Sequence, residues 1–177
     1  MPLSQAAVRA LNAGDIVEVT GTIVTARDRA HQCLLSPDAP PEIGPLLKSG
    51  VIYHCGPIVR NGSAVSAGPT TSARLDAYEA DVIRRFGVRA VMGKGGMGEK
   101  TLAVLKERGC VYLSAVGGCG ALLAKKIVSV RACFKGKEFG EPESFWVFDV
   151  AGFPAIVTMD SSGRSLHAEV EKKTNAR

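Results

Sequence analysis

Three basic residues stand at turns that are rich in glycine, proline or threonine. Arg27 follows a Thr-Ala step, Arg74 follows a Gly-Pro-Thr-Thr-Ser-Ala turn, and Lys94 lies among the glycines of 93–98. A helix that opens after such a turn presents free N–H groups and a partial positive charge, which bind anions. Cations at these places favour a small dianion, such as a dicarboxylate, as the ligand. The alternative is that the two arginines form ordinary surface pairs with neighbouring acids, Asp28 and Asp76.

Two adjacent threonines, Thr70 and Thr71, stand just before a predicted helix. A threonine hydroxyl is a poor base unless nearby cations stabilise its alkoxide. Arg74 and Lys94 could do so if the fold brings them together. The alternative is that a hydroxyl of Thr70, Thr71 or Ser72 caps the helix that follows.

The glycine run at 93–98 matches G-x-G-x-x-G between a predicted strand and a predicted helix. The dinucleotide fingerprint also needs an acidic residue about 20 positions further on, and no Asp or Glu occurs between Glu107 and Glu138. A phosphate-binding Walker loop fails as well, because Glu99 separates Gly98 from Lys100. Two interpretations remain: a turn whose amides and Lys94 face an anion, or a tight turn where a helix packs on a strand.

The histidines and cysteines do not form a metal-binding motif in the sequence. His54 lies in Tyr-His-Cys-Gly-Pro, where a packing role is favoured over metal ligation. The five cysteines include no C-x-x-C pair, so neither a zinc site nor an iron–sulfur site is expected on this chain. Their odd number favours reduced thiols in the cytoplasm.

Composition limits the class of protein. Hydrophobic residues make up 46% and charged residues 22% of 177 residues, which is typical of a globular domain. The net charge of +5 permits anionic partners, but aromatic residues are only 6%, which leaves little for nucleic-acid bases to stack on. No apolar run reaches 18 residues and no signal peptide precedes the first strand, so neither a membrane span nor export is expected.

Hydrophobic periodicity and turn residues predict alternating strands and helices in one domain, 1–177. A capping box at 25–28 predicts the start of the first helix, and Gly87 and Gly109 are expected to end two later ones. The tail, 168–177, is expected to be frayed. The predicted strands are 15–24 (or a hairpin), 50–54, 88–92, 111–116, 145–150 and 155–159. The predicted helices are 29–35, 75–86, 99–108 and a segment ending near 127. This order predicts a three-layer α/β fold.

Six motifs in order resemble those of a known enzyme family, the class I fumarases and L(+)-tartrate dehydratases. The resemblance covers roughly residues 15–167 and is to the β subunit, or C-terminal part, of these iron–sulfur hydro-lyases. The motifs are Thr25-Ala-Arg-Asp-Arg-Ala-His31, Tyr53-His-Cys-Gly-Pro57, Ser66-Ala-Gly-Pro-Thr-Thr-Ser-Ala-Arg74, Met92-Gly-Lys-Gly-Gly-Met-Gly98, Ala115-Val-Gly-Gly118 and Phe153-Pro-Ala-Ile-Val-Thr-Met-Asp160.

The resemblance implies a β/β/α swivelling domain and a partner, the α subunit, which carries a [4Fe-4S] cluster. It further implies a higher assembly, such as a dimer of αβ pairs, that hydrates or dehydrates a C4 dicarboxylate (fumarate to malate, or tartrate to oxaloacetate). Carried over by motif, the substrate-binding residues are Arg27, Thr70, Thr71, Arg74 and Lys94. Thr70 is the candidate catalytic base, and Thr71 fits that position less well.

Two other function classes stay open. One is a non-catalytic module that binds small anions or a partner through the same fold. The other is a nucleotide or nucleic-acid binder, which only the basic charge and the glycine run support. A neighbouring gene for a chain with three cluster-type cysteines would favour the hydro-lyase, whereas steeply salt-dependent RNA binding would favour the last class.

Overall fold

The computed structural model describes residues 3–175, which form eight strands and eight α-helices. The strands are β1 (Ile16–Thr25), β2 (Val51–Tyr53), β3 (Ile58–Arg60), β4 (Ser63–Ser66), β5 (Ala90–Gly93), β6 (Val111–Ser114), β7 (Ile127–Phe134) and β8 (Phe145–Met159). The helices are α1 (Gln5–Arg9), α2 (Asp28–Leu34), α3 (Ile43–Leu47), α4 (Asp76–Phe86), α5 (Glu99–Arg108), α6 (Gly120–Ala124), α7 (Gly136–Phe139) and α8 (Leu166–Asn175).

Four parallel strands form the part of the sheet that matters for the site. They lie in the order β1-β2-β5-β6, with Val51 opposite Ile23 and Ala90, and Ala90 opposite Val111. Because the strands are parallel, their carboxyl ends lie along one edge. Ligands of α/β sheets commonly bind outside that edge.

The long strand β8 closes the sheet on itself. It pairs antiparallel with β6, β7 and β1, and Ile156 lies opposite both Ile16 of β1 and Ser114 of β6. The sequence predicted two strands here with a break at Gly152-Phe-Pro154, which was wrong. The strand continues because Phe153 and Pro154 pair in register with β1.

Alternating side chains on the parallel strands build two cores. On β2, Ile52 faces one core, while Val51 and Tyr53 face the other. The first core packs helices α2 to α5 on the sheet; the second fills the space between the parallel strands and the layer of β7 and β8. The domain therefore has three layers: the helices, the parallel strands, and the layer of β7 and β8. This confirms the predicted three-layer β/β/α swivelling domain.

Two helices end at the glycine residues that the sequence predicted. Gly87 ends α4 with φ +67 and Gly109 ends α5 with φ +66, a left-handed conformation that costs glycine little. The capping box at 25–28 was wrong: Arg27 is the N-cap of α2 without a side-chain bond. The Thr25 hydroxyl instead accepts the main-chain N–H of Trp146 and donates to the carbonyl of Ser144.

Several further elements were not predicted from the sequence. These are the hairpin of β3 and β4, the strand β7 and the short helices α1, α3 and α7. Leu166–Asn175 forms a helix, and fraying of the tail stays a prediction. Residues 176 and 177 lie outside the described range. Within residues 3–175, no helix combines the length and the apolar character that crossing a membrane requires.

Candidate functional site

The candidate site lies at the carboxyl edge of the parallel strands. Arg27 follows the end of β1, His54 follows β2 directly, and Lys94 follows β5 directly. The loop after β6 adds Gly117. Four segments that are distant in sequence meet at this edge because adjacent parallel strands end side by side.

The segment Thr70–Ser72 runs along Lys94 and is fixed to it through the main chain. The amide of Lys94 donates to the carbonyl of Thr70 over 3.2 Å, and the amide of Ser72 donates to the carbonyl of Lys94 over 3.0 Å. The amide of Thr70 donates to the carbonyl of His54 over 2.7 Å. Thr70 is half-buried, whereas Thr71 is exposed. The segment Thr70–Ser72 is therefore bonded through its main chain to Lys94, with Thr71 as the residue paired with it.

Lys94 is half-buried, and its ammonium group forms no ion pair with the residues that the structure describes. Its stem passes the loop after β6, since a Cβ atom on Gly117 would lie 3.3 Å from Lys94 Cδ. A half-buried ammonium group without a carboxylate partner can bind an anionic ligand at little cost in displaced contacts.

The two arginines share one carboxylate. Arg74 pairs with Asp28 Oδ2, and Arg27 Nε lies 3.7 Å from the same oxygen and 2.9 Å from Glu143 Oε1. Arg27 is the more enclosed of the two: its side chain is 23% exposed, against 50% for Arg74. The expected pairing of an arginine with Asp28 is thus present, and the prediction that Asp76 also pairs with an arginine is wrong.

Asp76 has a different role at the start of α5. Its carboxylate accepts the Gly98 amide over 2.9 Å and the Thr101 hydroxyl over 2.6 Å. The main-chain amide at Gly98 is therefore satisfied within the chain. At Gly96, a Cβ atom would lie 2.6 Å from the His167 ring, so that ring packs against the glycine loop. Close packing thus accounts for these glycines, and Lys94 is the part of the loop that remains available to an anion.

The predicted helix-capping role of the hydroxyl residues is wrong for Thr71 and Ser72. Thr71 precedes a 3₁₀ turn, Ser72–Leu75, but its side chain makes no capping hydrogen bond. Ser72 is buried and its hydroxyl lies between His54 Nδ1, at 2.8 Å, and the Tyr112 hydroxyl, at 2.7 Å. The Thr70 hydroxyl makes no hydrogen bond within the described residues, so it is free for another role.

Beneath this edge lies a fully buried cluster of His31, His54 and Glu79. Glu79 Oε2 lies 2.8 Å from Nε2 of both histidines. Burial acts to raise the pKa of Glu79, but His54 and His31 outweigh it and lower the pKa to about 2. Burial lowers the pKa of His54, more strongly than Glu79 raises it. Both ring nitrogens of His54 have partners, which agrees with the packing role favoured from the sequence.

The five cysteines do not provide a cluster site within residues 3–175. No three thiols come together there, since the one grouped set of metal-type donors is His31, His54 and Glu79. Burial raises the pKa of Cys55 to about 12 and that of Cys110 to about 11, which disfavours the thiolate that iron requires. The donor set of the described chain therefore does not fit a [4Fe-4S] cluster.

All five predicted site residues lie at one edge, in two connected groups. Thr70 and Thr71 are joined to Lys94, and Arg27 is joined to Arg74 through Asp28. The sequence analysis missed Asp28 as the shared acid, and it missed Ser72 and Glu79 as buried partners of the histidines. Glu79 had a signal: it lies four positions after Leu75 and four before Ile83, on the apolar face of α4.

Comparison with known proteins identifies the family of this chain. The family model described as fumarase C-terminus matches residues 2–170. A provisionally named class I fumarate hydratase of Geobacillus stearothermophilus is 46% identical over 178 residues, which is 98% of this chain and 34% of the relative. The chain thus spans about a third of the length of that relative.

Two further relatives are matched over most of their length. A provisionally named L(+)-tartrate dehydratase β subunit of Methanocaldococcus jannaschii is 43% identical, covering 97% of this chain and 91% of the relative. The L(+)-tartrate dehydratase β subunit of Escherichia coli K12 is 39% identical, covering 97% and 86%. These similarities show that the chain belongs to the fumarase C-terminus family, the family of the tartrate dehydratase β subunits.

Proposed function

We propose that this chain is the β subunit of a two-subunit hydro-lyase that adds water to, or removes it from, a C4 dicarboxylate. The candidate reactions are fumarate to malate and tartrate to oxaloacetate, the substrates for which its relatives are named. The observation that carries the proposal is the main-chain link that holds Thr70 beside Lys94 at the sheet edge. A cation, a free hydroxyl and two further cations nearby suit a reaction that develops charge on a carboxylate.

In the proposed site, Lys94, Arg74 and Arg27 bind the carboxylate next to the carbon that loses its proton. Charge-assisted hydrogen bonds to a carboxylate are stronger than neutral ones. When the proton leaves, negative charge spreads onto that carboxylate, and fixed cations stabilise the transition state more than the ground state. Arg74 and Arg27 exchange part of their contact with Asp28 for the substrate.

Thr70 is the proposed base. Its hydroxyl makes no hydrogen bond within the described residues, and its main chain is bonded to that of Lys94, a cation that would favour the alkoxide if its ammonium group faces the hydroxyl in the assembled site. Thr70, as its alkoxide, takes the proton from the carbon next to the bound carboxylate, and the hydroxyl group leaves the neighbouring carbon as hydroxide. The proton held by Thr70 then passes to that hydroxide, which gives water and restores the alkoxide. Thr71 contributes to substrate binding from its exposed position.

The rest of the proposed site belongs to an α subunit. We place the [4Fe-4S] cluster there because the thiols of this chain do not form a suitable donor set. Such a cluster supplies a Lewis acid for the leaving hydroxyl group when it is bound. An assembly of two αβ pairs in the cytoplasm, where cysteines stay reduced, completes the proposal.

The test is co-expression of this chain with the product of a neighbouring gene for a cluster-binding subunit, followed by anaerobic reconstitution. Fumarate, malate and both tartrate enantiomers are then assayed with each chain alone and with the two together. We expect turnover of at least one of these substrates only with both chains. A reconstituted pair that binds dicarboxylates but turns over none would instead support the non-catalytic anion-binding module.

A further inference from the structure

Five buried polar side chains form a continuous hydrogen-bonded path beneath the candidate site. Each side chain is 0% exposed, so bulk water does not compete for its hydrogen bonds. The path runs through His31, Glu79, His54, Ser72 and Tyr112, with contacts of 2.7–2.8 Å. The proposed function uses none of these side chains, and a buried polar network of this kind needs an explanation.

The hydrogen-bond partners fix most of the protons in this path. His31 Nδ1 lies 3.0 Å from the carbonyl oxygen of Arg27, which can only accept, so Nδ1 of His31 carries a proton. Tyr112 donates to Ser72 Oγ, so the Ser72 hydroxyl donates to His54 Nδ1. His54 therefore carries its proton on Nε2 and donates it to Glu79 Oε2.

One proton remains, between His31 Nε2 and Glu79 Oε2, which are 2.8 Å apart. If Glu79 is ionised, His31 carries both ring protons and is an imidazolium. Glu79 Oε2 accepts the Nε2–H of His54, and although burial acts to raise the pKa of Glu79, the two histidines lower it to about 2, which favours the ionised form. The other titratable groups near it, Cys110 and Tyr112, are neutral, because burial raises the pKa of each.

We propose that His31 is a buried imidazolium paired with ionised Glu79, that His54 is neutral, and that the three form a positioning cluster for Arg27 and Thr70. The positioning part rests on the proposed function; the protonation states do not. The cluster connects the two groups of site residues that otherwise lie on separate elements.

The connections run through the main chain at both ends of the cluster. On one side, the main-chain N–H and Nδ1 of His31 both donate to the Arg27 carbonyl, at 2.8 and 3.0 Å. On the other side, the carbonyl of His54 accepts the amide of Thr70, and its ring holds Ser72, whose amide bonds Lys94. Fixing Glu79 therefore fixes the main chain at Arg27, Thr70 and Lys94.

Glycine at position 93 lets the path pass close to the sheet. A Cβ atom there would collide with Ser72 Oγ and would lie 3.1 Å from both His54 Nδ1 and the Tyr112 hydroxyl. The backbone of β5 is thus in direct contact with the network, next to Lys94.

The same donor atoms could surround a metal ion, and the second oxygen of Glu79 lacks a partner within the described residues. The geometry favours hydrogen bonds, because a single oxygen lies at 2.8 Å from both Nε2 atoms. Around a metal, each Nε2 would be deprotonated and would point at the ion. The two arrangements therefore differ in the protons on Nε2.

Nitrogen NMR of the full chain, labelled with ¹⁵N-histidine and treated with a chelator, measures these protons directly. The chain has three histidines, and His31→Gln, His54→Gln and His167→Gln assign them. At pH 7 we expect His31 with both nitrogens protonated and His54 neutral with its proton on Nε2. Adding equimolar zinc chloride should leave the nitrogen signals of His31 and His54 unchanged. A neutral His31, or loss of the Nε2 protons on adding zinc, would overturn the proposal.

Glu79→Gln tests the positioning role in the reconstituted enzyme. It should abolish the doubly protonated signal of His31 and lower kcat/KM at least tenfold, whereas Glu107→Gln, an exposed match on α5, should do neither. An unchanged kcat/KM with an altered His31 spectrum would overturn the positioning role. If the wild-type spectrum is as expected but no variant or wild-type pair is active, the proposed function fails and the protonation assignment stands.

Discussion

The amide of Lys94 donates a hydrogen bond to the carbonyl of Thr70 over 3.2 Å, so the proposed cation and the proposed base move as one unit. The bond forms because Lys94 directly follows β5 and the Thr70–Ser72 segment extends the sheet edge beside it. Two residues that are 24 positions apart in sequence are thereby held in a fixed relation that a substrate carboxylate can use.

Lys94→Met should reduce kcat/KM of the reconstituted enzyme by a hundredfold or more. A charge-assisted contact to developing negative charge in an enclosed site contributes roughly 2–4 kcal/mol. The melting temperature should change little, because the ammonium forms no ion pair within the described residues. Lys100→Met, at an exposed lysine that pairs with Asp81 over 3.5 Å, is the control and should keep full activity. Less than a threefold loss at Lys94 would contradict its assignment.

Gly56→Ala should displace Arg27 without a change at Arg27 itself. The added Cβ atom would collide with Arg27 Nη1 and lie 2.7 Å from the carbonyl of Pro142. We expect a rise in KM of tenfold or more, measured by steady-state kinetics. The control is Gly44→Ala, whose Cβ atom would lie 3.9 Å from Phe86 and whose helix should gain slightly in stability. Equal KM values for the two variants would show that Arg27 does not contact substrate from its present position.

Stability should fall as the pH falls below about 6.5, partly because of His54. Burial lowers its pKa below 6.5, so the unfolded chain binds a proton there that the folded chain does not. Between the two pKa values, stability therefore decreases with decreasing pH. Glu79, with a pKa of about 2 against an ordinary 4.5, adds a further loss between those values.

Melting temperatures between pH 6.5 and 5 check this prediction. His54→Gln should show a shallower decline than the wild type. His167→Gln should retain most of the decline, because burial lowers the pKa of that half-buried residue as well but does not enclose it fully. A wild-type slope in His54→Gln would mean that His54 is not neutral in the folded chain.

The full chain, purified anaerobically without a partner, should contain no stoichiometric iron or sulfide. Its buried thiols resist deprotonation, and no three of them meet within residues 3–175. Chemical iron and sulfide analysis decides the point. Four iron atoms per chain would place the cluster here and would remove the reason for assigning it to an α subunit.

The sequence predicted those parts of the fold that local signals determine. Gly87 and Gly109 end their helices because a left-handed residue is needed there and glycine adopts it at little cost. Residue 25 shows the limit: Thr25 has the right type and spacing for a capping box, yet it bonds β8, more than 100 positions away. No local pattern contains that competing partner.

In the candidate site, too, local motifs were predictable from the sequence and contacts between distant segments were not. The motifs located Arg27, Thr70 and Lys94, but spacing could not indicate that Asp28 would pair with both arginines or that Glu79 would join two histidines. These contacts depend on how α2, α4 and the strand ends pack together. A glutamate on the apolar face of a predicted helix is the one local sign of such a buried partner.

The proton-accepting role of Thr70 is the central claim, and Thr70→Val tests it most directly. Valine keeps the shape and removes the oxygen, whereas Thr70→Ser keeps a hydroxyl and serves as the matched variant. Both are reconstituted with the partner and a full cluster, and kcat is measured alongside the melting temperature. We predict that valine lowers kcat at least a hundredfold with little change in melting temperature, and that serine retains much of the activity. A fully loaded Thr70→Val enzyme that turns over near the wild-type rate would contradict the account.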